Sequence, residues 1–131
     1  MSRDLDDLNP AFLAVVEPWL ADCHAAGMDI LVTCTLRTNE EQAALYAQGR
    51  TAPGRIVTNA QPGQSAHNYG LGVDIVPIVN GKPEWTGEDP IWRQIANFAE
   101  ARGLEWLGEP SSPFKEECHF QQPNWRTIAG V

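Results

Sequence analysis

The chain has 131 residues, enough for one domain with a sizeable core, and its apolar and charged fractions of 43% and 20% are those of an ordinary globular protein. The formal net charge of −8 argues against a general nucleic-acid or anionic-membrane binder, because both attract basic surfaces. Three cysteines without a CxxC pair point to free thiols in a reducing compartment rather than a disulfide scaffold.

Met1 to Asp7 is acidic and lacks an apolar h-region, so no signal peptide is visible. No apolar run reaches membrane-spanning length. Asn9-Pro10 reads as an N-cap followed by proline at the first helical position. Phe12, Leu13, Val16, Trp19, Leu20 and Cys23 recur at helical spacing, with Pro18 expected to kink or split the helix and Gly27 to end it. His24 is expected on the surface or at the helix end. Ile30 to Leu36 reads as a strand, and Arg37 closes it. Thr38-Asn39-Glu40-Glu41 is a capping box for a helix running to Ala47-Gln48, with Gly49 at its C-cap. Arg37 thus sits at a strand-to-helix corner, where it can reach into a site or form a surface salt bridge.

Arg50 to Gln64 has no period and is expected to be a long loop, either solvated or in contact with substrate through Arg50 and Arg55. Gly72 to Val79 reads as a strand, and Asn80-Gly81 as a hairpin turn. Pro77 predicts an edge position or a bulge. On period 2, Gly72, Asp74 and Val76 share one face, and Val73 and Ile75 the other. Asp89 and Pro90 begin a helix with Ile91, Trp92, Ile95, Phe98 and Ala99 as its apolar stripe, ended by Gly103. Leu104 to Leu107 reads as a short strand, Glu109 to Pro113 as a Pro/Ser loop, and Cys118 to Gln121 as a last strand stopped by Pro123.

The polar residues within these apolar elements carry the chemistry. A carboxylate such as Asp74 in an apolar strand is costly to bury unless it is paired or metal-bound. His67 stands seven residues before it, with two glycines between. His119 lies far along the chain beside Glu116 and Glu117. A catalytic zinc takes three protein ligands and keeps one open position. His67, Asp74 and His119 supply that set, a neighbouring glutamate can serve as base, and an arginine can stabilise an oxyanion or hold a carboxylate.

Ser65-x-His67-x-x-Gly70-x-Gly72-x-Asp74 followed by Glu116-x-x-His119 resembles the SxHxxGxAxD…ExxH signature of the zinc DD-peptidase family, which includes D-Ala-D-Ala carboxypeptidases, D-Ala-D-Ala dipeptidases and phage L-alanyl-D-glutamate endopeptidases. Leu36 to Thr51, LRTNEEQAALYAQGRT, is similar to the RTxxEQxxLYAQGRT segment of the phage endolysin branch, and so is His67-Asn68-Tyr69-Gly70. The resemblance implies an α+β fold of the Hedgehog/DD-peptidase type, a small antiparallel sheet flanked by helices. It implies zinc bound by His67, Asp74 and His119, Glu116 as catalytic base, Arg37 stabilising oxyanion or substrate, and Ser65 and Tyr69 touching substrate. Gly72 stands where the family usually has alanine, and Trp106-Leu107-Gly108-Glu109-Pro110 departs from the family's run before the last motif. Cys118, beside a ligand but on the other strand face, is expected to pack. On a regular strand Glu117 rather than Glu116 would share the face of His119; a bend before Cys118 would restore Glu116.

The expectation is therefore one peptidase domain over 1–131 without a separate wall-binding domain. It would be a zinc-dependent endopeptidase cutting the peptidoglycan stem peptide between L-Ala and D-Glu. A D,D-carboxypeptidase or dipeptidase, and a non-catalytic zinc-containing wall-peptide binding module, are the alternatives. With no signal peptide visible, it would be a monomer held in the cytoplasm until released to the wall, for example by a holin-type partner, with no nucleic-acid partner and no stable membrane insertion.

Overall fold

Four helices and five strands make up the fold in a computed structural model that describes residues 1–112 and 115–131. The Pro113 end of the expected Pro/Ser loop lies outside the described residues. Helix α1 spans Pro10–Ala25, and Asn9 caps it by accepting from the Ala11 and Phe12 amides. Pro18 does not split it. The helix runs through, because Trp19 and Cys23 beyond the proline are fully buried and hold the second half against the core. Strand β1 is Ile30–Cys34. Helix α2, Asn39–Ala47, opens on the expected capping box of Thr38 and Glu41. Strand β2 is Gly72–Val79, and β3 is Lys82–Pro83. Asn80 and Gly81, both at positive φ (53° and 78°), form the turn between them. Helix α3, Ile91–Ala101, has Pro90 rather than Asp89 at its N-cap, one residue later than expected, and the Asp89 carboxylate just before it accepts from the Ile91 amide at 2.9 Å. Strands β4, Glu105–Trp106, and β5, His119–Gln121, follow. The five-residue helix α4, Trp125–Ala129, is an element the sequence reading lacked.

The sheet order is β1-β2-β5-β4, all antiparallel, with β3 paired to the far end of β2. Pro77 therefore lies in the central strand, not at an edge. Its position explains the tolerance. The Pro77 carbonyl accepts from Glu84 on the side away from β1, where β5 pairing has ended at Asp74 and β3 pairing starts only at Ile78. No ladder partner is waiting there for the missing N–H.

The two faces of the sheet divide the labour. Val73 pairs with Phe120 and Phe120 with Trp106, and these face α1 and α3. Trp19 packs on Phe120 with ring centroids 4.6 Å apart and donates its indole N–H to the Ile95 carbonyl at 3.0 Å. Phe12, Val16, Trp92 and Ile95 complete this core. On the opposite face Asp74 pairs with His119, and Gln121 with both Gly72 and Glu105. A register shift in β1 between Val32 and Cys34 makes Cys34 the partner of Asp74. The inserted Thr33 is a β-bulge, which re-aims the strand end toward this second face.

Candidate metal centre and active site

His67 reaches the second face from a 3-10 turn, Ala66–Tyr69. Ser65 caps that turn by accepting from the His67 amide at 3.2 Å, and Asn68 closes the reciprocal half by accepting from the Ser65 amide at 3.2 Å. Asn68 also donates to the Arg37 carbonyl at 3.0 Å, while the Arg37 amide donates to the His67 carbonyl at 3.0 Å. The turn and the strand-to-helix corner are thus one unit. Gly70 ends the turn at φ 67°, and a Cβ there would stand 2.7 Å from the Asn9 nitrogen, so both conformation and space demand glycine.

The His67 ring is 2% exposed. Its Nδ1 lies 2.8 Å from the Thr35 carbonyl, which can only accept, so Nδ1 keeps the proton of the neutral ring and Nε2 is the nitrogen turned toward a metal. That Nε2 lies 3.0 Å from Asp74 Oδ1 and 3.1 Å from His119 Nδ1, and the last two are 2.9 Å apart. His119 Nε2 is engaged by Gln121 Oε1 at 2.9 Å. A tetrahedral zinc with bonds of about 2.0–2.1 Å separates its ligand atoms by about 3.3 Å, so this triangle accepts the ion with small outward shifts. The donor set fits as well: two ring nitrogens and a carboxylate oxygen converge on one point and match the ligand types zinc takes. Burial works to lower the basicity of His67, yet its hydrogen bonds to Asp74 and Cys34 outweigh that and raise it to about 10. Asp74 moves the opposite way: burial favours its neutral form, but hydrogen bonds from His119 and His67 hold it well below the usual carboxylate range. Gly72 makes room for this arrangement, since a Cβ there would lie 2.9 Å from His119 Cε1.

The trio opens onto a cavity of about 1500 Å³, which Arg37, Ser65 and Glu116 also line. Arg37 donates to Gln42 Oε1 at 2.9 Å and to the sulfurs of Met1 and Cys34 at 3.2 and 3.7 Å. It is held at the corner by these groups rather than by a surface carboxylate. Strand β5 begins at His119, not at residue 117. Glu117 and Cys118 form a bend, closed by the His119 amide on the Glu116 carbonyl at 3.3 Å. The bend parts the two acids. Glu117 packs its side chain over Gly87 and lies 3.8 Å from Lys115 Nζ, whereas Glu116 is the more exposed of the two; both line the cavity. Cys118 packs against the core, with its thiol pushed up to about 12 by burial and then by Asp74 and Glu116.

Two residues read as possible substrate contacts are held by the protein itself. Tyr69 does not line the cavity among the described residues: its hydroxyl donates to the Gly63 carbonyl at 2.8 Å and its ring stacks on Trp125 at 5.8 Å. Arg50 pins its own loop, donating to the Tyr46 and Thr58 carbonyls at 2.6 and 3.0 Å, with its guanidinium 3.9 Å from the Tyr46 ring centroid. The sequence reading also missed four neighbours of the site. Cys34 offers a sulfur that, with His67 and Asp74, forms a group of donor atoms all within 4.8 Å of one another. Gln42 is fully buried and bridges Arg37 to the Ala60 carbonyl at 2.8 Å. Gln121 and Glu105 stand behind His119. Gln42 gave a signal, a polar residue on the inward side of α2; the others are visible only once the strand register is known.

A model of the VanY D-alanyl-D-alanine carboxypeptidase family matches residues 6–129. The peptidoglycan L-alanyl-D-glutamate endopeptidase CwlK of Bacillus subtilis (strain 168) is 34% identical over 127 residues, covering 90% of this chain and 75% of its own. Among solved structures, the L-Ala D-Glu endopeptidase ChiX of Serratia marcescens superposes with a TM-score of 0.68 at 21% identity, over 97% of this chain and 87% of that one. A D,D-pentapeptidase VanY from a VanB-type vancomycin-resistance cassette, determined in complex with Zn(II), superposes with a TM-score of 0.61 at 17% identity, over 95% and 77%. The fold is thus that of the cell-wall DD-peptidases, as the motif resemblance implied. The chain belongs to the VanY D-alanyl-D-alanine carboxypeptidase family and is a peptidoglycan peptidase.

Proposed function

We propose that the chain is a zinc-dependent endopeptidase that hydrolyses the L-alanyl-D-glutamate bond of the stem peptide. The observation that carries the metal part is the triangle of His67 Nε2, Asp74 Oδ1 and His119 Nδ1, with sides of 2.9–3.1 Å, at the wall of an open cavity. The choice of bond is supported by the 34% identity to CwlK. His67, Asp74 and His119 would hold the ion, which would supply Lewis acidity toward the scissile carbonyl and the attacking water. Glu116 takes the proton of the attacking water and passes it to the departing amine. Arg37 donates hydrogen bonds to the carbonyl oxygen as its negative charge develops. Ser65 acts by holding the turn that presents His67.

Digestion of purified muropeptides followed by mass spectrometry tests this reading. New termini at L-Ala and D-Glu are expected. Release of a terminal D-Ala would instead make the chain a D,D-carboxypeptidase, and binding of intact muropeptides without cleavage would make it a wall-peptide binding module.

A further inference from the structure

We infer that Glu105, an exposed side chain on β4, decides which nitrogen of His119 is free to bind metal, acting through the amide of Gln121. Glu105 and Gln121 are a cross-strand pair, and Gln121 shares a strand face with His119 two residues before it. Gln121 Nε2 donates to Glu105 Oε1 at 2.5 Å, and Gln121 Oε1 lies 2.9 Å from His119 Nε2. A carboxylate can only accept, so the amide must turn its NH₂ toward Glu105 and its oxygen toward the histidine. An amide oxygen can also only accept. His119 Nε2 must then keep the proton of the neutral ring, and Nδ1, the atom 2.9 Å from Asp74 Oδ1 in the triangle with His67, is the nitrogen left to bind metal.

The two histidines are thus set by different means. His67 is fixed by the Thr35 main-chain carbonyl, which no substitution removes. His119 is fixed by two side chains in series, and the outer one sets the polarity of the inner. Glu105 and Gln121 are positioning residues, since neither supplies an atom of the triangle. The inference rests on the reading that His119 is a zinc ligand.

Glu105→Lys puts a donor where the acceptor stood. The Gln121 oxygen then turns outward, its NH₂ faces His119 Nε2, and the ring proton is driven to Nδ1. Zinc affinity, read by competition with a chromogenic chelator, should fall about 10–100-fold, the usual scale for the partners of a metal-binding histidine. Glu105→Gln keeps an acceptor while losing the charge and should stay within about threefold of the parent. Adding Gln121→Glu to Glu105→Lys gives a carboxylate that accepts from both sides and should restore most of the affinity. If Glu105→Lys binds zinc like the parent, or if Glu105→Gln falls halfway to Glu105→Lys on a logarithmic scale, the relay is wrong and Glu105 acts at most as a distant charge. His119→Ala, measured alongside, separates the two levels. Parent-like zinc affinity in that variant would remove His119 from the ligand set. Loss of zinc there, with Glu105→Lys unaffected, would overturn the relay alone.

Discussion

Glu116 and Glu117 are neighbours in sequence with the same chemistry, yet the bend before His119 gives them different surroundings. Both line the cavity, but Glu117 is occupied with Gly87 and Lys115, while Glu116 is the more exposed. Glu→Gln preserves shape and removes the proton acceptor. Glu116→Gln should therefore keep its zinc and lose about 10²–10⁴-fold in turnover of a defined muropeptide, while Glu117→Gln changes little. The reverse result would transfer the role of base to Glu117. The candidate ligands were legible in the sequence because a lone carboxylate in an apolar strand and two histidines at element ends are anomalies at the level of single residues. The partners of those ligands were not. Thr35 serves through its carbonyl, which carries no residue signature, and Glu105 and Gln121 meet only through the β4–β5 register. Tyr69, given a substrate role by its motif, stacks its ring on Trp125 of a helix that has no strong pattern of its own.

At the level of elements, capping chemistry was the most readable signal. Asn9 and Thr38 cap as expected, Asp89 falls one residue before the cap it was assigned, and β2 has the expected bounds. Proline misled twice, in α1 and in β2, because what decides its tolerance is the packing beyond it and the gap beside it, and neither is local. Helix α4 went unread because five residues are too few to display a period. The loop from 50 to 64 is tied to α2 by Arg50 and Gln42. Gln42→Ala would take the partner from the half-buried Ala60 carbonyl and remove one of the Arg37 anchors. A loss of about 1–3 kcal/mol in urea unfolding is expected, with a drop in peptidase turnover while zinc content stays at the parent level. Turnover at the parent level in a destabilised Gln42→Ala would show that Arg37 keeps its position without this anchor.

The molecule as a whole is acidic, with a net charge of −8, and gathers its most perturbed groups around the metal triangle. Without metal, His67 is raised to about 10 from its ordinary value of 6.5. A group with a raised folded-state value stabilises fully below its unfolded value and loses that contribution as pH climbs through the folded one. Asp74 is lowered, so its contribution is present above its ordinary 3.8 and is lost only in strong acid. Chelator-treated protein should accordingly melt at lower temperature as pH rises from about 6.5 to about 10. Zinc affinity should climb over the same range, because the ion must displace the His67 proton. A melting temperature that is flat or rising across that window in chelator would remove the His67–Asp74 ion pair as a source of stability.

The central claim is that three side chains hold one catalytic zinc, and metal analysis of the purified parent beside His67→Ala, Asp74→Ala and His119→Ala tests it most directly. The account predicts one tightly bound zinc per parent chain, and loss of both metal and peptidase activity in each variant. Full zinc occupancy in any of the three, or an active parent free of zinc, would contradict it.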